Sequence, residues 1–473
     1  MYLAAGSKTS SPILENPVYK AVFAKIDWRL IPLLLVASMV AFLDRINIGF
    51  AQLQMKQTLP FDDAVYGLGA GIFFIGYFLF EVPSNLLLER IGARKTLLRI
   101  MVLWGLAVTT MMFVSTPLQF YAARFLLGVF EAGFAPGVLL YLTYWYPSVR
   151  RGQVIAILLS APPLVMFIAG PLCGSILKYL DGVGGLYGWQ WLFVIQGLPA
   201  PILGILVYYL LQDKPSQAAW LSREEKALLH DALQHDEDNI VKTTSGTFGQ
   251  LLRDPRVYML SLVCFLLLGA NYTMVFWMPT LIRSWGVSDP FLVGVYHAVS
   301  NAAGIICMVL IGRHSDKWHE RRWHYASCVT IAAGGLFVIM LLQGTLVGSI
   351  AALSIAVIGI VSAPPLFYAL TSEYLSAGAA AGGLALITSL GNLGPAVGPS
   401  LTGLIVRNTG DNMYGLYFVM ALYVLSGALL LLSMRPAATP PDRSAPQSTD
   451  EWLPTTSHTL HRRSEAGRRM GGR

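Results

Sequence analysis

The stretch LIPLLLVASMVAFLDRINIGF, from Leu30 to Phe50, decides the fold of this chain, because it is apolar for most of its length. At a rise of about 1.5 Å per residue, its roughly 21 residues form a helix about 31 Å long, which is the thickness of a bilayer's hydrocarbon core. The adjacent charges of Asp44 and Arg45 lie inside this stretch. Charges at that depth are costly unless they face a partner or a water-filled cavity, so the pair indicates a substrate or ion pathway.

The composition of the whole chain is that of a membrane protein. Of its 473 residues, 55% are hydrophobic and 12% are charged, whereas about 25% are charged in ordinary soluble domains. Hydropathy predicts twelve spans, near residues 28–50, 65–89, 97–116, 118–146, 152–178, 189–211, 257–280, 290–313, 324–343, 348–370, 381–406 and 414–434.

A long polar link divides these spans six and six. We therefore predict an all-α membrane protein built from two six-helix pseudo-repeats. Its parts are an N-terminal tail over 1–27, a bundle over 28–211, a linker over 212–256, a second bundle over 257–435 and a disordered tail over 436–473. Within the linker, Ser222 followed by Glu225 matches a capping box, which predicts a helix start.

The net charge of +7 reflects membrane topology rather than nucleic-acid binding. If the N-terminus is cytoplasmic, the inside links contain Arg90, Arg94, Lys95, Arg99, Arg150, Arg151, Arg313, Lys317, Arg321 and Arg322, and the outside links contain Lys56, Lys178, Arg283 and Arg407. This positive-inside bias predicts that both tails are cytoplasmic, in a multi-pass protein of a bacterial-type inner (plasma) membrane. No cleavable signal is expected, because charge interrupts the first apolar run.

Sites for metals, cofactors and catalysis are not expected. Four cysteines fall within apolar segments at unrelated spacings, so neither a zinc site nor a disulfide framework is indicated. His297 and His314 lack metal-ligand spacing, and no phosphate-cradling lysine loop is present. We therefore expect no cofactor, no enzymatic activity and no requirement for an oligomer.

Two short patterns recur at nearly the same separation and indicate an internal duplication. Asn85-Leu-Leu-Leu-Glu-Arg-Ile-Gly-Ala-Arg-Lys95 precedes the third span, and Gly312-Arg-His-Ser-Asp-Lys-Trp-His-Glu-Arg-Arg322 precedes the ninth. Gly170-Pro171 in the fifth span has a counterpart, Gly394-Pro395, in the eleventh. Repeated six-span halves with a central site are typical of alternating-access transporters.

These motifs resemble those of the major facilitator superfamily, whose cytoplasmic signature is Gly-x-x-x-Asp-Arg-x-Gly-x-Arg-Arg. The first copy departs from the signature at Asn85 and Glu89, and the second keeps Gly312 and Asp316. More local strings resemble the anion:cation symporter family, which includes tartrate, phthalate and galactonate permeases. These strings are Leu43-Asp44-Arg45-Ile-Asn-Ile, Phe74-Ile-Gly-Tyr77-Phe-Leu-Phe-Glu81-Val-Pro-Ser-Asn85 and Arg124-Phe-Leu-Leu-Gly-Val-Phe-Glu131-Ala-Gly133.

The charged residues of the first and fourth spans are the candidate site. Arg124 and Glu131 are seven residues apart, so both point to one helix face, and we expect them to meet Asp44 in the outer half of the N-terminal bundle. Adjacent residues on a helix point about 100° apart, so Asp44 and Arg45 each need a separate partner.

The residue types suggest how the roles divide. Guanidinium matches a carboxylate in bidentate geometry, which makes Arg45 the first candidate for holding an organic anion and Arg124 the second. Low hydration favours a protonated carboxyl and a nearby arginine favours the ionised one, so Asp44 and Glu131 are candidates for proton exchange. The resemblance implies the same roles for Asp44, Glu131 and Arg45. The alternative is that Asp44 with Arg124, or Glu131 with Arg45, forms a structural ion pair.

Further candidates complete the predicted site and its gate. Tyr77 is a candidate for substrate binding, and the resemblance implies a substrate contact for Asn392. We interpret Glu81 as a structural group. The gating candidates are Glu89, Arg90, Arg94, Asp316, Lys317 and Arg321, and we expect Glu89 and Asp316 to accept hydrogen bonds from nearby helix N-termini.

The sequence therefore predicts a secondary transporter that takes up a small organic carboxylate together with protons. The leading substrates are phthalate-like or other aromatic acids and tartrate-like hydroxy acids; membrane lipid is the other partner, and nucleic acid is not one. One alternative is a proton-driven efflux antiporter for drugs or metabolites, because Gly170-Pro171 resembles an antiporter sequence. A membrane sensor that binds an anion without moving it is a third possibility.

Overall fold

The structure, a computed structural model, describes residues 17–243, 252–342, 345–375 and 380–434, and the predicted tail 436–473 lies outside these ranges. Its α-helices are α1 Pro17–Ile46, α2 Ile48–Thr58, α3 Asp63–Ile91, α4 Ala93–Thr110, α5 Pro117–Glu131, α6 Phe134–Thr143, α7 Ser148–Leu158, α8 Ala161–Tyr179, α9 Gly188–Gly197, α10 Pro199–Leu210, α11 Arg223–Thr243, α12 Pro255–Ser284, α13 Pro290–Trp318, α14 Arg322–Leu341, α15 Leu346–Tyr374, α16 Ala380–Gly391, α17 Gly394–Thr409 and α18 Asn412–Ser433. The all-α fold class is confirmed.

The helices match the predicted spans in number and order. Eleven helical segments of the described chain are long and apolar enough to cross a membrane. The remaining predicted span corresponds to α16 and α17, which are separated at Asn392 and Leu393. The first helix begins at Pro17 rather than near residue 28, so it continues beyond the apolar stretch, and Lys25 on this extension pairs with Glu225 of α11.

Five of the described spans are each divided into two consecutive helices, and the breaks in the first and fourth spans organise the candidate site. α1 and α2 are separated at Asn47, and α5 and α6 are separated at Ala132 and Gly133. Gly133 has φ +87°, in the left-handed region that favours glycine, and a Cβ there would lie 2.5 Å from the Ser84 hydroxyl oxygen. The breaks make Glu131 the last residue of α5 and Arg45 the last but one of α1.

The chain has a linker end, where residues 211–243 follow the first six spans and residues 252–254 precede the last six, and a far end, formed by the turns 59–62, 180–187, 285–289 and 410–411. At the far end the backbones of the halves touch. A Cβ on Gly170 would lie 2.2 Å from the carbonyl oxygen of Gly294, and a Cβ on Gly67 would lie 2.5 Å from that of Pro399. Only glycine permits this approach, so the far end is closed by direct helix packing.

Polar contacts reinforce this closure. The carbonyl oxygen of Phe276 accepts hydrogen bonds from Gln52 Nε2 at 2.8 Å and from the Tyr66 hydroxyl at 3.1 Å. Ion pairs join Lys178 to Asp289 and Arg407 to Asp62 across the halves. The Lys178 ammonium holds the pKa of the Asp289 carboxyl below its usual range, so this ion pair is complete above that pKa and is lost when acidification protonates Asp289.

Replacing Gly170 by alanine is expected to open the far end. The added methyl overlaps the Gly294 carbonyl, and overpacking of this kind costs about 1–3 kcal/mol, which shifts a two-state equilibrium by about 5- to 150-fold. Spin labels at residues 183 and 284, with the native cysteines replaced, should report a longer distance across the far end. Gly334→Ala is the control, because a Cβ at Gly334 meets no atom within 4 Å. Unchanged distances in Gly170→Ala would contradict the proposed closure.

Candidate transport site

Asp44 and Arg45 diverge from α1 to different partners, in accord with the helical geometry. The Asp44 carboxylate is fully buried, and its Oδ2 accepts a hydrogen bond from Trp104 Nε1 at 2.9 Å. Arg45 instead pairs through Nη2 with Glu131 Oε1. Its Nη1 donates to the hydroxyl of Tyr272, on α12 of the C-terminal half, at 3.3 Å. Arg45 therefore connects a carboxylate of its own half to the opposite half.

Aromatic rings surround the Arg45 guanidinium. Its central carbon lies 5.2 Å from the ring centroid of Tyr77 and 5.4 Å from that of Phe73, both on α3. Tyr272 packs edge-to-face on Phe74 at 4.8 Å and lies 6.0 Å from Phe276. The Arg45 side chain keeps 18% of its surface exposed, against 1% for Glu131. Arg45 is thus the accessible member of the pair, in an aromatic surrounding.

Arg124 is placed differently from Arg45. It is fully buried, its Nε donates to the carbonyl oxygen of Gly69 at 3.1 Å, and its guanidinium lies 5.0 Å from the Phe73 centroid. Its two terminal nitrogens have no hydrogen-bond partner in the described part of the chain. The Phe73 ring is therefore in cation–π contact with both Arg45 and Arg124.

The expected convergence of charges on one wall is only partly observed. Among the described residues, Arg124 forms no ion pair with Asp44 or Glu131; its Nε donates to the α3 backbone instead. The Arg45–Glu131 pair is present, and the Asp44–Arg124 pair is not.

Two contacting residues were not identified from the sequence. Trp104 and Tyr272 lie within long apolar helices, where an aromatic residue more often packs than binds. No local spacing singles them out, and only the tertiary fold brings them to Asp44 and Arg45.

Asn392 occupies the break between α16 and α17 and is partly exposed. The flanking glycines allow this break to pack closely against α12. A Cβ on Gly391 would lie 2.4 Å from Cys264 Sγ, and a Cβ on Gly394 would lie 2.0 Å from the Phe265 carbonyl oxygen. The break therefore packs about two helical turns before Tyr272 on α12, in the C-terminal half.

The predicted gating residues lie at the linker end. Asp316 pairs with Arg321 at 3.0 Å, and Arg321 also pairs with Glu373. Arg94 donates from its side chain to the Tyr208 carbonyl oxygen. Glu89, Arg90 and Lys317 are exposed.

The expected capping role of Glu89 is wrong. The backbone N–H of Arg94, in the first turn of α4, donates to Asp213 Oδ1 at 2.9 Å, so Asp213 caps this helix. Gly92, with φ +89°, turns the chain between α3 and α4, and a Cβ there would lie 2.9 Å from the Asp213 carboxylate. That turn brings Asp213, from the end of the sixth span, onto the start of α4 in place of Glu89.

A family profile described as Major Facilitator Superfamily matches residues 34–391. The chain is 44% identical over 412 residues to the putative metabolite transport protein NicT of Pseudomonas putida, covering 87% of this chain and 93% of that one. It is 43% identical over 425 residues to a putative tartrate transporter of Agrobacterium vitis, covering 90% and 97%.

A third relative bears a different name. The quinolone resistance transporter of Acinetobacter baumannii is 40% identical over 411 residues, covering 87% of this chain and 94% of that one. Among solved structures, a bacterial homolog of the human lysosomal transporter Spinster, in an inward-facing and occupied conformation, matches with a TM-score of 0.70 at 17% identity, covering 85% of this chain and 96% of that one. At that identity the likeness shows the fold.

Proposed function

We propose that this chain, which belongs to the major facilitator superfamily, is a proton-coupled symporter that takes up a small organic carboxylate by alternating access. The observation that carries the proposal is the Arg45–Glu131 pair, in which the more exposed guanidinium is held by a buried carboxylate and contacts Tyr272 of the opposite half.

This pair supplies a physical route to coupling. A carboxylate solute and an ionised Glu131 compete for the same guanidinium, because each offers the two-oxygen acceptor that Arg45 matches. A proton on Glu131 removes its charge and releases Arg45 to the solute. Solute and proton therefore bind together, and leave together when the site opens to a compartment of lower proton concentration.

The surroundings of Arg45 bear on the class of solute. Aromatic rings from both halves lie around it, and such rings stack with a planar aromatic acid at a gain of about 0.5–1.5 kcal/mol beyond area burial. This favours phthalate-like and other aromatic acids over tartrate-like hydroxy acids. Arg124, Tyr77 and Asn392 are proposed as further solute contacts, and Asp44 as a second proton carrier.

The closed far end fits one state of such a cycle. If both termini are cytoplasmic, the far end faces outward, and its closure supports a state whose site opens toward the cytoplasm between the linker-end segments of two six-helix bundles. We propose that Glu89, Arg90, Arg94, Asp316, Lys317 and Arg321 form the gate at that end, and that the protein resides in a bacterial-type inner membrane.

Proton-driven efflux is the second candidate function, and the quinolone resistance transporter at 40% identity favours it. Energised membrane vesicles separate the two. In symport the solute moves in the direction of the proton gradient, and in antiport it moves against that direction.

A thermal-shift screen of the purified chain tests the proposal. Acids such as benzoate, phthalate and tartrate should raise the melting temperature, because a ligand at 100 times its Kd stabilises the folded state by about 2.7 kcal/mol. The corresponding amides, which match the acids in shape and lack the charge, are the controls. Equal shifts from acids and amides, or none from any acid, would refute a carboxylate site.

A further inference from the structure

We propose that Trp104 is a positioning residue for proton exchange at Asp44, with its indole N–H fixing one carboxylate oxygen and leaving the other for the proton. This inference rests on the proposed function, since it gives Asp44 a proton-carrying role. It adds a residue from the third span to that role.

The contacts of Asp44 are the first part of the argument. Its Oδ2 accepts the Trp104 N–H at 2.9 Å, and its Oδ1 has no hydrogen-bond partner in the described ranges. A buried carboxylate normally requires a cation or several donors. Here a single neutral donor binds one oxygen, and the free oxygen is where a proton adds.

Trp104 is itself held rigidly. Its side chain is fully buried, and its ring packs edge-to-face on Phe134 at 5.1 Å and 78°. Its neighbour Gly105 fixes α4 against α10 of the sixth span, because a Cβ there would lie 2.2 Å from Pro201 Cδ. The indole therefore has little freedom to leave Asp44, and its N–H is directed at the carboxylate.

Few charged or titratable groups in the described chain face Asp44. Glu131 acts on it from α5, Cys173 lies within electrostatic range on α8, and Arg45 belongs to its own helix but is engaged with Glu131. Gln196 of α9 donates to Cys173 Sγ at 3.2 Å, and its own Oε1 has no partner among described residues. Trp104 is consequently the donor that acts on the charge of Asp44 most directly.

An infrared pH titration of the full chain in lipid tests the proposal without requiring a known solute. Protonated carboxyl groups have a C=O band that is absent from carboxylates, and the component lost in Asp44→Asn belongs to Asp44. In Trp104→Phe this component should move to higher frequency, because the carbonyl loses its hydrogen bond. Its titration midpoint should rise by about one pH unit, because the indole N–H stabilises the ionised form.

Two further variants separate positioning from packing. Replacing Trp104 by 3-benzothienylalanine exchanges the indole N–H for sulfur in a ring of the same shape, so it should reproduce both changes even if Trp104→Phe folds poorly. Trp145→Phe is the matched control, because Trp145 is fully buried, stacks on Trp220 at 5.7 Å and reaches no carboxylate of the described residues. It should leave the Asp44 band unchanged.

The outcomes distinguish the positioning role of Trp104 from the proposed proton-carrying role of Asp44. An Asp44 band that titrates identically with and without the indole N–H overturns the role of Trp104 and leaves Asp44 as a proton carrier. If no band depends on Asp44 between about pH 4 and pH 10, Asp44 carries no proton and both ideas fail at this residue. The roles of Arg45 and Glu131 are decided separately, by solute binding and uptake.

Discussion

Arg45→Ala is expected to lower carboxylate uptake about 100-fold and to abolish the stabilisation of the folded chain by carboxylates. Losing one partner of a poorly hydrated charge pair costs about 3 kcal/mol, and about 1.4 kcal/mol corresponds to a factor of ten. Arg45→Lys keeps the charge and loses the planar guanidinium fork, so its uptake should lie between that of the wild type and that of Arg45→Ala. The measurements are uptake into proteoliposomes and the thermal shift produced by the acid panel.

Controls separate loss of binding from loss of folding. Arg45→Ala leaves Glu131 buried without its cation, which is itself destabilising. The double variant Arg45→Ala/Glu131→Gln removes that charge, so it should recover the melting temperature without recovering uptake. Arg29→Ala, on the same helix but exposed and stacked on Trp220, should behave as the wild type. Normal uptake by Arg45→Ala would remove the proposed solute site.

The sequence predicted what depends on helical periodicity and hydropathy. The number and order of the spans followed from apolar length, and the separate partners of Asp44 and Arg45 followed from the angle between adjacent helical residues. The capping box of Ser222 and Glu225 is present, with the Ser222 hydroxyl accepting from the Glu225 N–H at 3.1 Å and the Glu225 carboxylate accepting from the Ser222 N–H at 2.9 Å.

What the sequence did not predict depends on contacts between distant segments. The breaks at Asn47 and Gly133 interrupt runs whose hydropathy is continuous, and only the packing of Gly133 against Ser84 accounts for the second. Trp104, Tyr272 and Asp213 reach Asp44, Arg45 and Arg94 from segments far away in the sequence. Charge and spacing identified the principal side chains of the site, but not the neutral donors that orient them.

Glu131→Gln is expected to leave solute exchange intact while removing accumulation driven by a pH gradient. Glutamine has the shape of glutamic acid and no charge at any pH, so it imitates the protonated state and leaves Arg45 permanently available. Exchange of labelled for unlabelled solute needs no proton release and should stay within about twofold of the wild type. Net accumulation requires release, and should fall to the level seen without a gradient.

The pH dependence of solute binding gives this prediction a definite sign. In the wild type, raising the pH ionises Glu131, which then competes for Arg45, so solute affinity should fall as pH rises. In Glu131→Gln the competitor is absent and solute affinity should not change with pH.

Glu81→Gln is the control for Glu131→Gln. Glu81 lies one turn beyond Tyr77 on α3 and is partly buried, but it is not the carboxylate paired with Arg45, so this variant should retain accumulation. Concentrative uptake by Glu131→Gln, or a solute affinity that falls as pH rises in both the wild type and this variant, would mean that the coupling proton is held by another group. The Arg45–Glu131 contact would then serve only to fasten α1 to α5.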